Sequence, residues 1–182
     1  MALNQPIMVA LIKSRMRVLQ AALGPEAGQV LFVDMGELGG NPSRIIPAWL
    51  DFTQRNPGRP VRGIGEPQWH GRRPEEVVEC QLHEGLLNVA IHPDVPLWLR
   101  CPYDLTELAA PISRAAQESH PALVEVGNFR GSTRYGGLHH VDTIFRTELP
   151  PAPAGLPARP VRRDGPQKKV RAHVSERARG AG

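Results

Sequence analysis

The amino-acid sequence predicts an α/β fold, a mainly parallel sheet with helices on both faces. Three patterns carry that expectation. Short apolar runs alternate with helix-period segments up to Leu149. One run, Gln29–Met35 (QVLFVDM), is continuous enough to be buried on both faces, as strands of parallel sheets are. The spacing between runs leaves room for right-handed helical crossovers between parallel strands.

Each element has a local reason. The run Pro6–Ile12 predicts a strand, and Ser14–Leu23 a helix that Gly24-Pro25 stops. After the strand Gln29–Met35, the stretch Ser43–Arg55 reads as a helix capped by Asn41 and ended by Asn56-Pro57-Gly58. Pro60–Glu66 predicts a third strand. Pro74–Ile91 predicts the longest helix, with Pro74 in its first turn and Glu75 and Glu76 placed where the helix dipole favours acids. A fourth strand at Pro96–Cys101, a helix at Leu105–Ser119 and a fifth strand at Ala122–Val126 follow, with an edge strand expected at Thr143–Leu149. Beyond that the text becomes PPAPAGLPARP, a Pro-rich linker over 150–160, and then a basic tail over 161–182.

Composition narrows the function classes. The chain has 182 residues, 41% hydrophobic and 22% charged, enough for one domain with a core plus a tail. No apolar run approaches the roughly 18–20 residues of a membrane span. Ile7–Ile12 is too short for a signal peptide and has no basic residue ahead of it. Two cysteines, Cys80 and Cys101, form no framework, which favours a reduced, cytoplasmic setting. The net charge of +4 is unevenly placed. Residues 150–182 hold eight basic and two acidic residues, leaving fourteen and sixteen in the body. A tail of +6 on a body of −2 is either solvated chain or a contact for an acidic partner or nucleic acid.

In a parallel sheet, ligands gather beyond the carboxyl ends of the strands. That edge is expected to receive Asp34, Glu37, Glu66, Trp69, Cys101, Tyr103, Asp104, Asn128 and Arg130, a set of acids and aromatics with few cations. Gly36-Glu-Leu-Gly-Gly-Asn-Pro-Ser43 lacks the Lys-Ser/Thr ending of a phosphate loop, and Gly63-Ile-Gly65 is followed by Glu66-Pro67 rather than a third glycine. Nucleotide binding is therefore not expected. On the long helix, 100° per residue places Glu79 and His83 within the apolar arc, with Gln81, Glu84, Gly85 and Asn88 opposite. A carboxylate and an imidazole within apolar surface must satisfy each other or bind something. Both readings stand at this point: a buried pair that orients helix against sheet, or a pair that reads a ligand. His83-Glu84 does not complete HExxH, because position 87 is leucine, and His139-His140 has no third ligand in sequence. No metal and no cofactor are expected, and both thiols are expected to be buried and inert. Trp69 sits in the Gln68–Arg73 loop as core packing or a pocket wall.

Several phrases occur together: FVDMGELGGNPSRIIPAW (32–49), PVRGIGEP (60–67), ECQLHEGLLN (79–88), WLRCPYD (98–104) and ESHP (118–121). This series resembles the MEDS sensory domain, named for methanogens, methylotrophs and a dichloromethane-utilisation regulator. It is most similar to the version in actinobacterial regulators that join the domain to an anti-sigma-type, histidine-kinase-like ATPase. The resemblance covers about 6–149 and implies a RecA/KaiC-like fold without a P-loop that senses a small ligand. Members of the family carry a further strand and helix ahead of the segment matching Pro6, a unit this sequence does not contain. Residues 161–179 resemble the opening strand and helix of the ATPase domain, with none of its ATP-binding boxes following.

Together these observations predict a non-enzymatic sensory module in a regulatory pathway of the anti-sigma type. Its expected partners are a small molecule and a regulatory protein, with no membrane and no nucleic acid. The expected ligand-binding residues are Glu66, Trp69, Glu79, His83, Tyr103 and Asp104. The alternative is a scaffold that uses its basic tail on an acidic partner or nucleic acid, which predicts steeply salt-dependent binding. An acid–base enzyme built on Glu79 and His83 would need a nucleophile or substrate clamp, and none is legible.

Overall fold

The computed structural model describes residues 5–148 of the chain; Leu149, the 150–160 linker and the 161–182 tail lie outside the described residues. Four strands form an all-parallel sheet: β1 (Ile7–Leu11), β2 (Val30–Asp34), β3 (Val61–Gly65) and β4 (Leu97–Arg100), in the order β2-β1-β3-β4. Helices connect them: α1 (Lys13–Leu23), the single turn α2 (Met35–Leu38), α3 (Ile45–Gln54) and α4 (Pro74–Ala90). α5 (Ala110–Ser119) and α6 (Gly137–Thr147) follow the sheet. The α/β class, the parallel pairing and the helices on both faces agree with the sequence pattern.

Side chains alternate along β1, so Met8 and Ala10 face one way while Val9 and Leu11 face the other. Met8 and Ala10 join Met35, Ile45, Trp49, Phe52 and Val61 in the main core, with Leu87, Leu97 and Leu99 packed against it. α1 lies against the second face, near Leu11 and Ile64. In register beside Met8 and Ala10 stand Gly63 and Gly65 of β3. A Cβ at Gly63 would lie 2.8 Å from Cζ3 of Trp49 and 2.7 Å from Cδ1 of Leu99. The absent side chain is therefore what lets the Trp49 indole lie flat on the sheet.

The predicted caps form. Asn41 accepts from Ser43 N at 3.1 Å and opens a short 3-10 turn, Pro42–Arg44, that leads into α3. Pro74 stands in the first turn of α4, and Glu76 accepts from the backbone N of Arg73 at 3.2 Å.

Three expectations are corrected. Thr143–Thr147 is helical, and Leu149 lies outside the described residues: Val141 and Ile144, three apart, are the buried residues of α6, a helix period rather than an alternation. Ala122–Glu125 does not join the main sheet. It forms β5 of an antiparallel hairpin with β6 (Asn128–Gly131), so Asn128 and Arg130 are exposed ribbon residues and not part of the sheet's carboxyl edge. Its two-residue loop, Val126-Gly127, has φ of 47° and 81°, the pair of positive values that a type I′ turn requires. Finally, α4 is buried on more than one side. Glu84 and Gly85, assigned to the solvent arc, are buried, whereas Glu79 is exposed. Gly85 is covered by Val141 of α6, and Glu84 by Tyr103 from the loop after β4. An amphipathic pattern with one apolar arc cannot describe a helix held between a sheet and another helix.

Candidate functional site

Beyond the carboxyl ends of β3 and β4 the chain contributes Glu66-Pro-Gln-Trp69 and Cys101-Pro-Tyr-Asp104, facing the middle of α4 and the end of α5. Four polar side chains converge there. Tyr103 donates its hydroxyl hydrogen bond to Glu84, and its ring meets that of His120 edge-on, with centroids 5.8 Å apart. A carboxylate oxygen of Glu84, the Sγ of Cys101 and a ring nitrogen of His120 all lie within 4.8 Å of one another. His120 precedes Pro121, which keeps its backbone out of the helical region (φ −107°, ψ 122°) and ends α5 there. Its Nδ1 lies 2.8 Å from the Ala116 carbonyl, so that nitrogen carries the proton and Nε2 keeps the free lone pair.

Burial sets the electrostatics. Glu84, 4% exposed, is pushed up to about 8, because desolvation outweighs the Tyr103 hydrogen bond and the charge of Arg72. Desolvation also raises the Cys101 thiol, and it raises that of Cys80 to about 12. His83 is pulled down to about 4 by burial and then by Arg72, and desolvation lowers His120. Burial thus favours the uncharged form of Glu84, Cys101, Tyr103 and His120, and of Cys80 and His83 beside them. Nδ1 of His83 is buried without a hydrogen-bond partner among the described residues.

Arg72 is the cation behind this cluster. It donates to the carbonyls of Pro67 (2.6 Å) and Gly39 (3.0 Å), tying the loop after β3 to the turn after β2. Trp69 stacks on its guanidinium at 3.6 Å.

A cavity of about 330 Å³ opens beside the cluster. Met35, Ile45, Trp49, Leu87, Leu97 and Leu99 supply its apolar wall, and His83, Glu84, Cys101 and His120 are among its polar groups. A second cavity, about 410 Å³, is lined by Trp98, Tyr103, Leu105, Leu123 and Phe129 among others. Leu99, Cys101, His120 and Ala122 line both, so the cluster forms part of the partition between them.

The six residues expected from sequence fall into five places. His83 lines the first cavity and Tyr103 the second. Glu66, fully buried, and Asp104 meet at Arg15 of α1: Glu66 pairs with Nη1, while Asp104 (3.1 Å) and Glu107 (2.8 Å) share Nη2. Trp69 packs on Arg72, and Glu79 is exposed. The sequence reasoning passed over Glu84 and His120, and placed Cys101 at the carboxyl edge of the sheet only as an inert thiol. Their signal was positional, since Cys101 follows a strand and His120 stands before a proline at a helix end.

Residues 1–121 match the family model of MEDS, the methanogen/methylotroph, DcmR sensory domain. The chain belongs to the MEDS family. The match takes in the whole parallel sheet and every residue of the cluster, whereas the hairpin and α6 follow it. No curated protein and no solved structure matches the chain. Among the described residues of this MEDS chain, no helix is long and apolar enough to cross a membrane.

Proposed function

We propose that this MEDS chain is a non-catalytic, cytoplasmic sensory module that binds a small molecule beside Glu84 and reports its presence to a protein partner. The family is sensory. The observation that carries the ligand reading is the cavity itself. At about 330 Å³ it sits at the small end of ligand pockets, with largely apolar walls and a few polar groups converging on it, the pattern such pockets share. Uncharged polar groups suit a compact molecule with an apolar body and one or two oxygen or nitrogen atoms. Glu84 and His83 would hydrogen-bond the polar atoms, and Trp49 and Leu99 would cover the rest. We infer that the partner is a regulator in an anti-sigma-type transcription circuit, as the resemblance to regulators carrying an ATPase domain suggests.

Thermal unfolding of the purified full chain, with a panel of short-chain alcohols, ketones and carboxylic acids, tests this. Some members should raise Tm, and the rise should vanish in Ile91→Trp, which fills the cavity from the end of α4, and weaken in His83→Ala. No rise with any member, or an equal rise in folded Ile91→Trp, would end the ligand reading.

A further inference from the structure

We propose that Glu84, Cys101 and His120 form a three-ligand site for a divalent transition metal of the zinc type, with its fourth position open to the cavity. The three donors come from three places in the fold: Glu84 from the middle of α4, Cys101 from the residue that follows β4 and His120 from the residue that follows α5. Their ligand atoms lie within 4.8 Å of one another. Around a tetrahedral zinc with bonds of 2.0–2.3 Å the same atoms would stand about 3.3–3.8 Å apart. A contraction on the order of an ångström, which rotamer adjustment supplies, completes the set.

The donor chemistry selects the metal. One thiolate, one imidazole and one carboxylate suit a borderline cation such as Zn²⁺, and do not suit Mg²⁺ or Ca²⁺, which take oxygen shells. The surroundings are those of a ligating set. His120 gives its Nδ1 proton to the Ala116 carbonyl, fixing the tautomer that leaves Nε2 free. Tyr103 holds the Glu84 carboxylate by a hydrogen bond and flanks the His120 ring. All three ligands line the cavity of about 330 Å³. His83, 6% exposed, lines it too, and its buried Nδ1 has no hydrogen-bond partner among the described residues. Three protein ligands leave a coordination position for water or a small Lewis base, which His83 is placed to contact from the same wall. Binding displaces the Cys101 thiol proton and the Glu84 carboxyl proton to solvent, and no redox step is involved.

The site goes beyond the sensory reading and does not depend on it. A chain that holds metal but responds to no small molecule would sustain the site and end that reading; a chain that responds to a small molecule but holds no metal would do the reverse. Metal content is measured on the untagged full chain purified without chelator, and Co²⁺ is then titrated into the chelator-stripped protein. One equivalent of Co²⁺ should give thiolate-to-cobalt charge transfer together with intense visible bands of four-coordinate cobalt, and Zn²⁺ should displace it. Cys101→Ser should abolish the charge-transfer band, and Cys80→Ser should keep it. Tyr103→Phe should weaken binding about 10–100-fold while leaving the spectrum unchanged, the effect typical of an outer-shell partner. Far-ultraviolet circular dichroism checks the fold of each variant. Absence of the charge-transfer band in the wild-type chain, or its loss in Cys80→Ser and persistence in Cys101→Ser, would overturn the site without reference to any variant's stability.

Discussion

Gly85 of α4 meets Val141 of α6 with nothing between them. A Cβ built at Gly85 would lie 2.6 Å from the Cγ2 of Val141, well inside contact distance. Glycine in a helix interior costs about 1 kcal/mol relative to alanine, so its presence here reflects the approach of the second helix. Gly85→Ala should gain that propensity and lose more to overpacking, for a net destabilisation of about 1–2 kcal/mol in urea unfolding. In a Val141→Ala background the same change should become neutral or stabilising. Additive effects in the double mutant would show that the two residues are not coupled.

Arg15 is the counter-charge of a buried carboxylate. Glu66 is fully buried, with its Oε2 unbonded among the described residues, and Arg15 is its ion-pair partner from α1. Arg15→Ala should cost about 3 kcal/mol at pH 7, since breaking such a pair strands a buried charge. The pH dependence has a definite sign. Desolvation, outweighing the attraction of Arg15, holds Glu66 above its ordinary value of 4.5. The folded chain then binds this proton more tightly than the unfolded one. Its contribution to stability is full below 4.5 and is lost as pH rises through the folded-state value. Removing Arg15 raises that value further, so the variant's deficit should shrink between pH 7 and pH 4. A deficit that is constant or grows on acidification would contradict this account.

The hairpin loop offers a stabilising change. Val126 has φ of 47° and a fully exposed side chain, a β-branched residue in the left-handed region with no packing to compensate. Val126→Asn supplies the Asn-Gly pair that type I′ turns prefer and should raise stability by about 1 kcal/mol, with protection of the β5 and β6 amides rising in hydrogen exchange. Unchanged exchange would mean that the hairpin opens independently of its turn.

The difference between what could and could not be read from the residues has a physical origin. Strands β1 to β4 announce themselves as local apolar runs, and their carboxyl ends locate the site region, but β2, expected to be buried on both faces, is an edge strand with Leu31 half exposed. Val126-Gly127 is a different case, since valine in place of asparagine hides a type I′ turn and the segment passes for one more strand. For α4 the helix was legible but its buried faces were not, because burial by α6 depends on a contact from residue 85 to residue 141 that no local period records. The candidate site follows the same division. His83 and Tyr103 were legible as polar groups near an apolar face or a strand end. Glu84, Cys101 and His120 become one cluster only when α4, β4 and α5 are folded together.

Trp49 joins the core to the cavity, and Gly63 sets its position. The indole is 1% exposed, belongs to the core and lines the cavity, and it can occupy this place only because β3 has no Cβ at residue 63. In Gly63→Ala the new methyl would meet Cζ3 of Trp49 at 2.8 Å and Cδ1 of Leu99 at 2.7 Å, both on the cavity wall. Neither group is free to retreat into solvent, so the ring must tilt toward the cavity. The cost should be about 1–3 kcal/mol, the usual range for overpacking. Tryptophan emission should change as well, and the change should be absent when Gly63→Ala is made in a Trp49→Phe background, which separates Trp49 from Trp69 and Trp98. Any Tm increase produced by a small molecule in the wild-type chain should fall in Gly63→Ala by more than an equally destabilising substitution remote from the cavity causes, because only the former narrows the space beside Leu99. Equal losses in the two would mean that the cavity wall formed by Trp49 does not touch the bound molecule.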